Sequence, residues 1–277
     1  MIERQDRVNW STLKHIGQSP KHYRHWLTHQ REDSDAMQLG RLVHCAIYEP
    51  DRLAERYVQE PNFHRGMKDD TARAKGYDGG KDAAAKWTLE NAGREIVAAD
   101  LWASATAMAE AVRADPIAGA MVSGGFAEQL VEWTDPVTGI ECRGRVDHVN
   151  GRLSDLKTAR AVSPRWLAAE FARREYHGQL AFYAEGLALN GIDLADPPAF
   201  IVVENVAPHD VVVLQMAPQE VKAGRDLFRR YLDTLAWCRE TDQWPGVAGG
   251  EIIPLGLPAW AVPDDAEPIT VGGVPIF

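Results

Sequence analysis

The chain has 277 residues, 45% of them hydrophobic and 25% charged, with a formal net charge of −10. This composition is typical of a globular protein and excludes a disordered chain, a collagen-like repeat and a small disulfide scaffold. No stretch approaches the roughly 20 consecutive apolar residues of a membrane helix, and residues 1–10 lack the apolar core of a signal peptide. We therefore expect a cytoplasmic protein with no membrane partner.

The cysteines argue against a sulfur-ligated centre. Cys45, Cys142 and Cys238 stand far apart in the sequence and form no CxxC pair. We expect reduced thiols and neither a cysteine-ligated zinc ion nor an iron–sulfur cluster.

The acidic charge is unevenly distributed along the chain. Residues 242–277 contain five acidic residues and no Lys or Arg, whereas residues 65–86 form a locally basic stretch. Affinity for a polyanion depends on local Lys and Arg side chains. The net charge therefore does not exclude a nucleic-acid partner, and by itself does not predict one. The candidate contacts in the basic stretch are Arg65, Lys68, Arg73 and Lys75.

The first hundred or so residues are predicted to be mostly helical. Ser11 is a suitable N-cap, and apolar residues recur at helical spacing in residues 37–47 and again in residues 83–112. Residues 62–81 are polar and glycine-punctuated, so we predict a mobile loop there.

Three strands are predicted after Gly124, where the apolar period changes from helical to strand-like. Asp135–Pro136 and Asn150–Gly151 supply the turns between them. Ser163–Pro164 is then typical of a helix start, and helical spacing continues to about Asn190 with a break near Tyr176. The predicted strands are 127–134, 140–149, 152–158, 200–206 and 211–216, and a last helix covers 218–240.

The loop between the second and third predicted strands decides whether Asp147 and Asp155 share a face of the sheet. Residues two apart in a strand do so, which groups Arg143, Arg145 and Asp147 and, separately, Asp155 and Lys157.

A two-residue loop, Asn150–Gly151, places the two carboxylates on opposite faces. A three-residue loop, 149–151, pairs Asp147 with Leu153 and brings Asp155 diagonally adjacent, at about 7 to 8 Å between backbone positions. The glycine suits the left-handed position of the longer loop. We predict the odd loop or a compensating bulge.

Two adjacent carboxylates followed by a lysine suit a hard divalent cation such as Mg²⁺. A cation there would polarise a phosphodiester and activate a water, while Lys157 orients that water or neutralises developing charge. The alternative is a surface ion pair between Asp155 and Lys157, which the short spacing leaves open.

The segment GRVDHVNGRLSDLKT resembles the GxxD and (D/E)xK signature of the PD-(D/E)xK nuclease superfamily, in its RecB-like branch. Residues 39–50 are similar to the LGxxxH helix of this branch, and residues 178–187 to its QxxxY helix. Residues 19–26 and the LPAW segment, 257–260, resemble the framing segments of RecE-like exonuclease VIII proteins of phages and prophages. Val146 stands where the signature has proline.

The resemblance implies site residues and a cofactor. Asp147, Asp155, His44 and the Leu156 carbonyl would hold Mg²⁺, with Glu128 as a further acidic ligand ahead of Glu132. Lys157 would be the catalytic lysine, and Gln179 and Tyr183 would place the scissile strand. Because histidine is softer than Mg²⁺ prefers, Mn²⁺ should substitute. Arg143 and Arg145 join the basic stretch as candidate DNA contacts.

The fold that the resemblance implies is α/β, a restriction-endonuclease-like core with a mixed central sheet flanked by helices. We expect one exonuclease domain, 1–241, with a helical N-terminal part, 1–122, and a catalytic core, 123–241. A Pro-rich acidic tail, 242–277, would pack on it.

The resemblance also implies an activity and partners. The activity would be degradation of one strand of linear duplex DNA, 5′ to 3′, in phage-type recombination by single-strand annealing. A homo-oligomeric ring and a RecT-like annealing protein would be the partners. The alternatives are a non-catalytic protein that binds DNA ends, and a Cas4-like nuclease of other polarity, which would need four clustered cysteines.

Overall fold

A mixed five-stranded sheet lies at the centre of the protein, in a computed structural model that describes residues 7–29, 33–256, 270–271 and 274–275. The sheet has the order β3-β4-β5-β6-β7, with β5 and β6 parallel and the other neighbours antiparallel. Two short pairs stand apart from it, β1 with β2 and β8 with β9. The strands are β1 (Tyr57–Gln59), β2 (Glu95–Val97), β3 (Phe126–Thr134), β4 (Glu141–Val149), β5 (Leu153–Ala159), β6 (Ala199–Glu204), β7 (Val211–Gln215), β8 (Thr270–Val271) and β9 (Val274–Pro275).

Helices cover both faces of this sheet, as its two buried faces require. Two of them are 3₁₀ helices, Lys14–Gly17 and Pro50–Arg52. The α-helices are α1 (Trp10–Leu13), α2 (Pro20–Thr28), α3 (Asp35–Tyr48), α4 (Leu53–Arg56), α5 (Asp69–Ala74), α6 (Lys81–Glu90), α7 (Ala99–Ala114), α8 (Pro116–Met121), α9 (Pro164–Arg173), α10 (Tyr176–Leu189) and α11 (Pro218–Thr241). This arrangement confirms the predicted mixed sheet flanked by helices.

A separate hydrophobic cluster packs on each face of the central sheet. One joins β3 and β4 to α1, α10 and α11 around Phe182 and Phe228, and we call it the α10 cluster. The other joins β5 and β6 to α3 and α7 around Leu42 and Met108, and we call it the α3 cluster. Burying each such side chain contributes about 1.5 to 3 kcal/mol, so both faces of the sheet are fixed by packing.

Residues 62–81 differ from the predicted mobile loop. They contain α5, and the chain on either side is joined by a bridge between Phe63 and Gly79. The Asp69 carboxylate accepts hydrogen bonds from the backbone N–H groups of Gly80 and Ala83, at 2.9 and 3.0 Å. Polar side chains therefore order this segment without an apolar periodicity that the sequence could reveal.

The start of the predicted tail contacts the N-terminal helices. The Trp244 ring stacks on Tyr23 at 6.1 Å, and the Lys21 N–H donates to the Pro245 carbonyl at 3.1 Å. The LPAW segment, 257–260, lies outside the described residues. Within the described part of the chain, no helix is both long and apolar enough to cross a bilayer.

Candidate metal-dependent active site

The backbone ladder between β4 and β5 is short, and the candidate site begins where it stops. The strands pair at Val149 with Leu153 and at His148 with Ser154, around a three-residue loop, 150–152. One step further, the Leu156 N–H donates instead to the Asp147 carboxylate, at 2.8 Å. The odd loop is confirmed, but it begins one residue later than predicted, so the predicted pairing of Asp147 with Leu153 is wrong.

The alternation of faces also breaks at this point, on β4. Val146 and Val149 both pack in the α10 cluster although they are three residues apart, which regular alternation forbids. Counted back from Val149, regular alternation would put Asp147 on the face of the α10 cluster. Because of the break it points to the opposite face, where its carboxylate lies 3.6 Å from His44 of α3.

The neighbouring strand β3 has its own irregularity across from Asp147. The register pairs Ala127 with His148 and Gln129 with Val146, so Glu128 is the residue opposite Asp147. Glu128 has a φ of 51°, a left-handed conformation that costs a non-glycine residue about 1 to 3 kcal/mol. Such strained positions concentrate at functional sites, and here the strain accompanies a carboxylate beside Asp147.

Helix α3 brings a third donor to these two carboxylates. Its apolar side packs in the α3 cluster, which holds His44 over the sheet. The His44 Nδ1 lies 3.6 Å from a Glu128 oxygen and 3.6 Å from an Asp147 oxygen, and its Nε2 lies 3.0 Å from the Leu156 carbonyl oxygen. His44, Glu128 and Asp147 each offer one ligand atom, and these atoms lie within 4.8 Å of one another. We call these three residues the donor group.

This donor set fits a divalent cation. Two carboxylates, with the Leu156 carbonyl beside them, are the oxygen ligands that Mg²⁺ prefers, and the imidazole nitrogen is also accepted by Mn²⁺. Burial lowers the pKa of His44, but the Asp147 and Glu128 carboxylates outweigh it and raise the pKa to about 9. A cation on these ligands would replace the imidazole proton.

Asp155 and Lys157 form a second, buried part of the site. The Lys157 ammonium is ion-paired with one Asp155 oxygen, and the Gln179 side-chain amide donates to the other at 3.1 Å. The same amide donates to the Tyr183 hydroxyl at 3.4 Å. Gln179 and Tyr183 lie one turn apart on α10, so one face of that helix serves the site.

Burial and the neighbouring charges shift the pKa values of Asp155 and Lys157. Burial raises the pKa of Asp155 to about 6, and Asp147 adds to the rise while Lys157 opposes it. Burial lowers the pKa of Lys157, but the Asp155 and Asp147 carboxylates outweigh it and the net shift is upward. Lys157 is therefore a cation at neutral pH, able to neutralise negative charge or orient a water but not to accept a proton.

The structure brings most of the predicted site residues together. Asp155 was expected among the metal ligands, yet it stands outside the three-residue donor group with its oxygens on Lys157 and Gln179. Glu128 faces His44, whereas Glu132 pairs with Arg7. These positions define the geometry, and the catalytic and metal-binding roles of the residues stay predictions.

The candidate DNA contacts lie in two places. Arg145 is beside the donor group, where its guanidinium donates to the Glu128 carbonyl at 3.2 Å, and Arg143 is two residues before it on β4. Arg65 is ion-paired with Glu60. Lys68, Arg73 and Lys75 lie at the ends of α5.

Two arginines at the site were missed by sequence reasoning. Arg41 and Arg56 line a cavity of about 430 Å³ together with Arg145 and the donor group. Arg41 lies three residues before His44 on α3 and so shares its side of the helix, a spacing that could have identified it. No comparable signal marks Arg56, which reaches the cavity from α4.

Comparison with known proteins places the chain in a family. A family described as "PDDEXK-like domain of unknown function (DUF3799)" matches residues 9–252. A crystal structure from Eubacterium rectale, described as a "putative exonuclease", is similar with a TM-score of 0.57 and 11% identity over 92% of each chain. No curated protein matches the chain. The chain belongs to this PDDEXK-like family, and so to the PD-(D/E)xK nuclease superfamily.

Proposed function

We propose that this protein is a metal-dependent exodeoxyribonuclease that degrades one strand of linear duplex DNA. The observation that carries the proposal is the donor group His44, Glu128 and Asp147 beside the buried ion pair of Asp155 and Lys157. A structural ion pair alone would not need a histidine and two further carboxylates converging next to it. Family membership and the likeness to the Eubacterium rectale protein support the same reaction class.

The donor group would bind the metal ion that hydrolysis requires. His44, Glu128 and Asp147 would hold Mg²⁺ or Mn²⁺, with the Leu156 carbonyl beside them. A bound cation supplies Lewis-acid polarisation of the phosphodiester and lowers the pKa of a water at the site.

Lys157, which stays protonated, orients the attacking water and neutralises charge on the non-bridging oxygens. Gln179 holds the Asp155 carboxylate in place, and the Tyr183 hydroxyl, which accepts from Gln179, contacts the scissile strand.

The resemblance to RecE-like proteins supports finer proposals. These are 5′ to 3′ polarity, Mg²⁺ as the cation, a homo-oligomeric ring around duplex DNA, and a RecT-like annealing protein as partner in phage-type recombination. The ring answers a physical difficulty, because an acidic chain holds DNA weakly unless it encloses it. A Cas4-like activity is disfavoured because the three cysteines, Cys45, Cys142 and Cys238, are free and buried in separate elements.

The test is digestion of linear duplex DNA labelled at either the 5′ or the 3′ end, with Mg²⁺, Mn²⁺ or chelator. We expect early loss of the 5′ label with either metal and no digestion in chelator. Early loss of the 3′ label would refute the polarity, and undiminished digestion in chelator would refute metal dependence. Tight binding to DNA ends without hydrolysis in either metal would instead identify the non-catalytic end-binding protein.

A further inference from the structure

A second cavity lies next to the Asp155–Lys157 part of the candidate site, because Tyr176, which lines the cavity, contacts Lys157. It has a volume of about 290 Å³ and is formed between the 3₁₀ helix Lys14–Gly17 and the junction of α9 with α10. Three cationic side chains line it, those of Lys14, Arg173 and Arg174. The Glu175 carboxylate also lines it, so the balance of charge in the cavity is positive.

Contacts with Tyr231 of α11 fix the positions of two residues that line this cavity, Gly17 and Glu175. The Tyr231 hydroxyl, on α11, donates to a Glu175 carboxylate oxygen at 2.6 Å. Gly17 approaches the same hydroxyl so closely that a Cβ there would collide with it. Glu175 has a φ of 57° and turns the chain sharply from α9 into α10. The cavity is therefore formed before any ligand arrives.

The two arginines keep donors available for a ligand. Both pair with a single carboxylate, that of Glu170, and their side chains are 75% and 58% exposed. A guanidinium has five N–H donors. One carboxylate that is shared between two arginines cannot accept hydrogen bonds from all of them. The Glu175 carboxylate is itself occupied by Tyr231. The planar N–H fork of each guanidinium matches the spacing of phosphate oxygens.

Tyr176 connects the cavity to the site. Its ring lines the cavity, and the Lys157 ammonium lies 4.7 Å from the ring centroid. The candidate site thus has two neighbouring cavities with cationic side chains, one lined by Arg41, Arg56 and Arg145 and one lined by Lys14, Arg173 and Arg174. A strand bound across both cavities would meet cationic side chains in each of them.

We propose that the cavity of Lys14, Arg173 and Arg174 binds phosphate groups of the DNA strand on the Lys157 side of the site. The inference rests on the proposed function, because the ligand is the strand being degraded. The chemistry recognised is a phosphate oxyanion, which the DNA offers either as a terminal 5′-phosphate or as an internal phosphodiester. Arg173 and Arg174 make the contacts, and Tyr176 aligns them with Lys157.

The experiment measures binding of the full chain to a fluorescent linear duplex in chelator, where no hydrolysis occurs, over a range of salt concentrations. The variants are Arg173→Ala and Arg174→Ala, and each leaves Glu170 with one arginine partner. We expect each to weaken binding about fivefold and to reduce the slope of log K against log salt by about 0.9 for each phosphate that the variant no longer neutralises. Arg174→Lys keeps the charge and should keep the slope.

The matched control is Arg225→Ala, since Arg225 is 62% exposed and pairs with Glu185 at 3.9 Å on the surface of α11. It should leave the affinity and the slope unchanged. An arginine effect confined to duplexes with a 5′-phosphate would identify the terminal group, and an equal effect on 5′-hydroxyl duplexes would identify internal phosphates.

Wild-type affinity and slope in both cavity variants would overturn the proposal. If the wild type still digests DNA in Mg²⁺ in that case, the proposed function stands and only the cavity assignment fails. If the wild type neither binds nor digests DNA, the proposed function fails first.

Discussion

The two halves of the central sheet are built differently. From β5 to β7 the ladders run without interruption. The residues of β6 are themselves apolar and buried, except for the last one, Glu204. From β3 to β5 the ladder skips Glu128, the faces change at Asp147, and β4 leaves β5 after two residue pairs. We call β5 to β7 the regular half and β3 to β5 the open half. The regular half satisfies its backbone hydrogen bonds within the sheet, whereas the open half leaves backbone N–H and C=O groups that side chains can bind.

Leu156 shows what this difference provides. On its β6 side it continues the regular ladder, paired with Ile201. On its other side its N–H binds Asp147 and its carbonyl oxygen faces His44, because β4 is no longer there to take them. The opening between β4 and β5 therefore creates the place where the charged side chains gather. Substitutions in the two halves should separate loss of activity from loss of stability.

The largest effect is expected for Asp147→Asn in the open half. The amide oxygen can still accept from the Leu156 N–H, so the fold should persist, but the donor group loses an anionic ligand. We expect kcat/KM to fall about 10⁴-fold, equivalent to about 5.5 kcal/mol, with the free energy of unfolding changed by less than about 1 kcal/mol. Kinetics on linear duplex and chemical denaturation measure the two quantities.

A carboxylate of the same hairpin serves as the control for this variant. Glu132→Gln removes a charge that pairs with Arg7, away from the donor group. It should keep activity within about twofold, because an exposed ion pair contributes little. Equal losses in the two variants would mean that the donor group has no special role.

The next largest effect is expected for Asp135→Asn at the closed end of the β3–β4 hairpin. Asp135 is fully buried and receives a hydrogen bond from Arg229 at 3.1 Å. Removing one partner of such a pair leaves the other uncompensated, so we expect a loss of about 3 kcal/mol in the free energy of unfolding. Thermal and chemical denaturation at neutral pH measure it, and unchanged stability would contradict it.

The same residue gives a pH dependence with a defined sign. Burial raises the pKa of Asp135, but hydrogen bonds from Arg229 and Thr138 outweigh it, and the net pKa is lowered. A lowered folded-state pKa means that the stabilisation is complete above about pH 4 and is lost as the pH falls through the folded value. The variant should lack this part of the acid-side decrease.

A smaller effect is expected for Val203→Ala in the regular half. Val203 on β6 is fully buried in the α3 cluster, between Thr158 and Val211 of the neighbouring strands. Loss of two buried methyl groups should lower the free energy of unfolding by about 2 kcal/mol. Activity per folded molecule should stay near that of the wild type, and a selective loss of activity would show that the halves are coupled.

The smallest effect is a difference between two variants of Glu128. Alanine and glycine both remove the carboxylate, and both should remove activity to the same extent. Glycine adopts a φ of 51° without steric cost, so the Glu128→Gly protein should be more stable than Glu128→Ala by about 1 kcal/mol. Denaturation of the two variants side by side measures it, and an equal free energy of unfolding would exclude strain at this position.

The bounds of the longer strands and helices were the easier part of the structure to predict from sequence. The three strands after Gly124, the start of α9 at Pro164 and the break at Tyr176 all fall within a residue or two of the prediction, because apolar periodicity and turn residues report them directly. The pair β1 with β2 was missed, since strands of three residues are too short to show a period.

The open half was predicted in part. The signature residues and the odd parity of the loop could be inferred, but not the change of face at Asp147, which depends on the packing of Val146 and Val149 in one cluster. The preference for Glu128 over Glu132 came from resemblance alone, because alternation puts both on one face of an ideal strand. A left-handed residue in mid-strand has no signal in the sequence.

The peptide groups of Leu156 have a consequence for how such a centre is inherited. Its amide and carbonyl exist whatever amino acid occupies the position, so no single codon change can delete them, except one to proline for the amide. What a mutation can remove is the course of the two strands around them. Part of the chemistry of this protein is therefore carried by backbone shape and not by residue identity, and a motif search sees only the remainder.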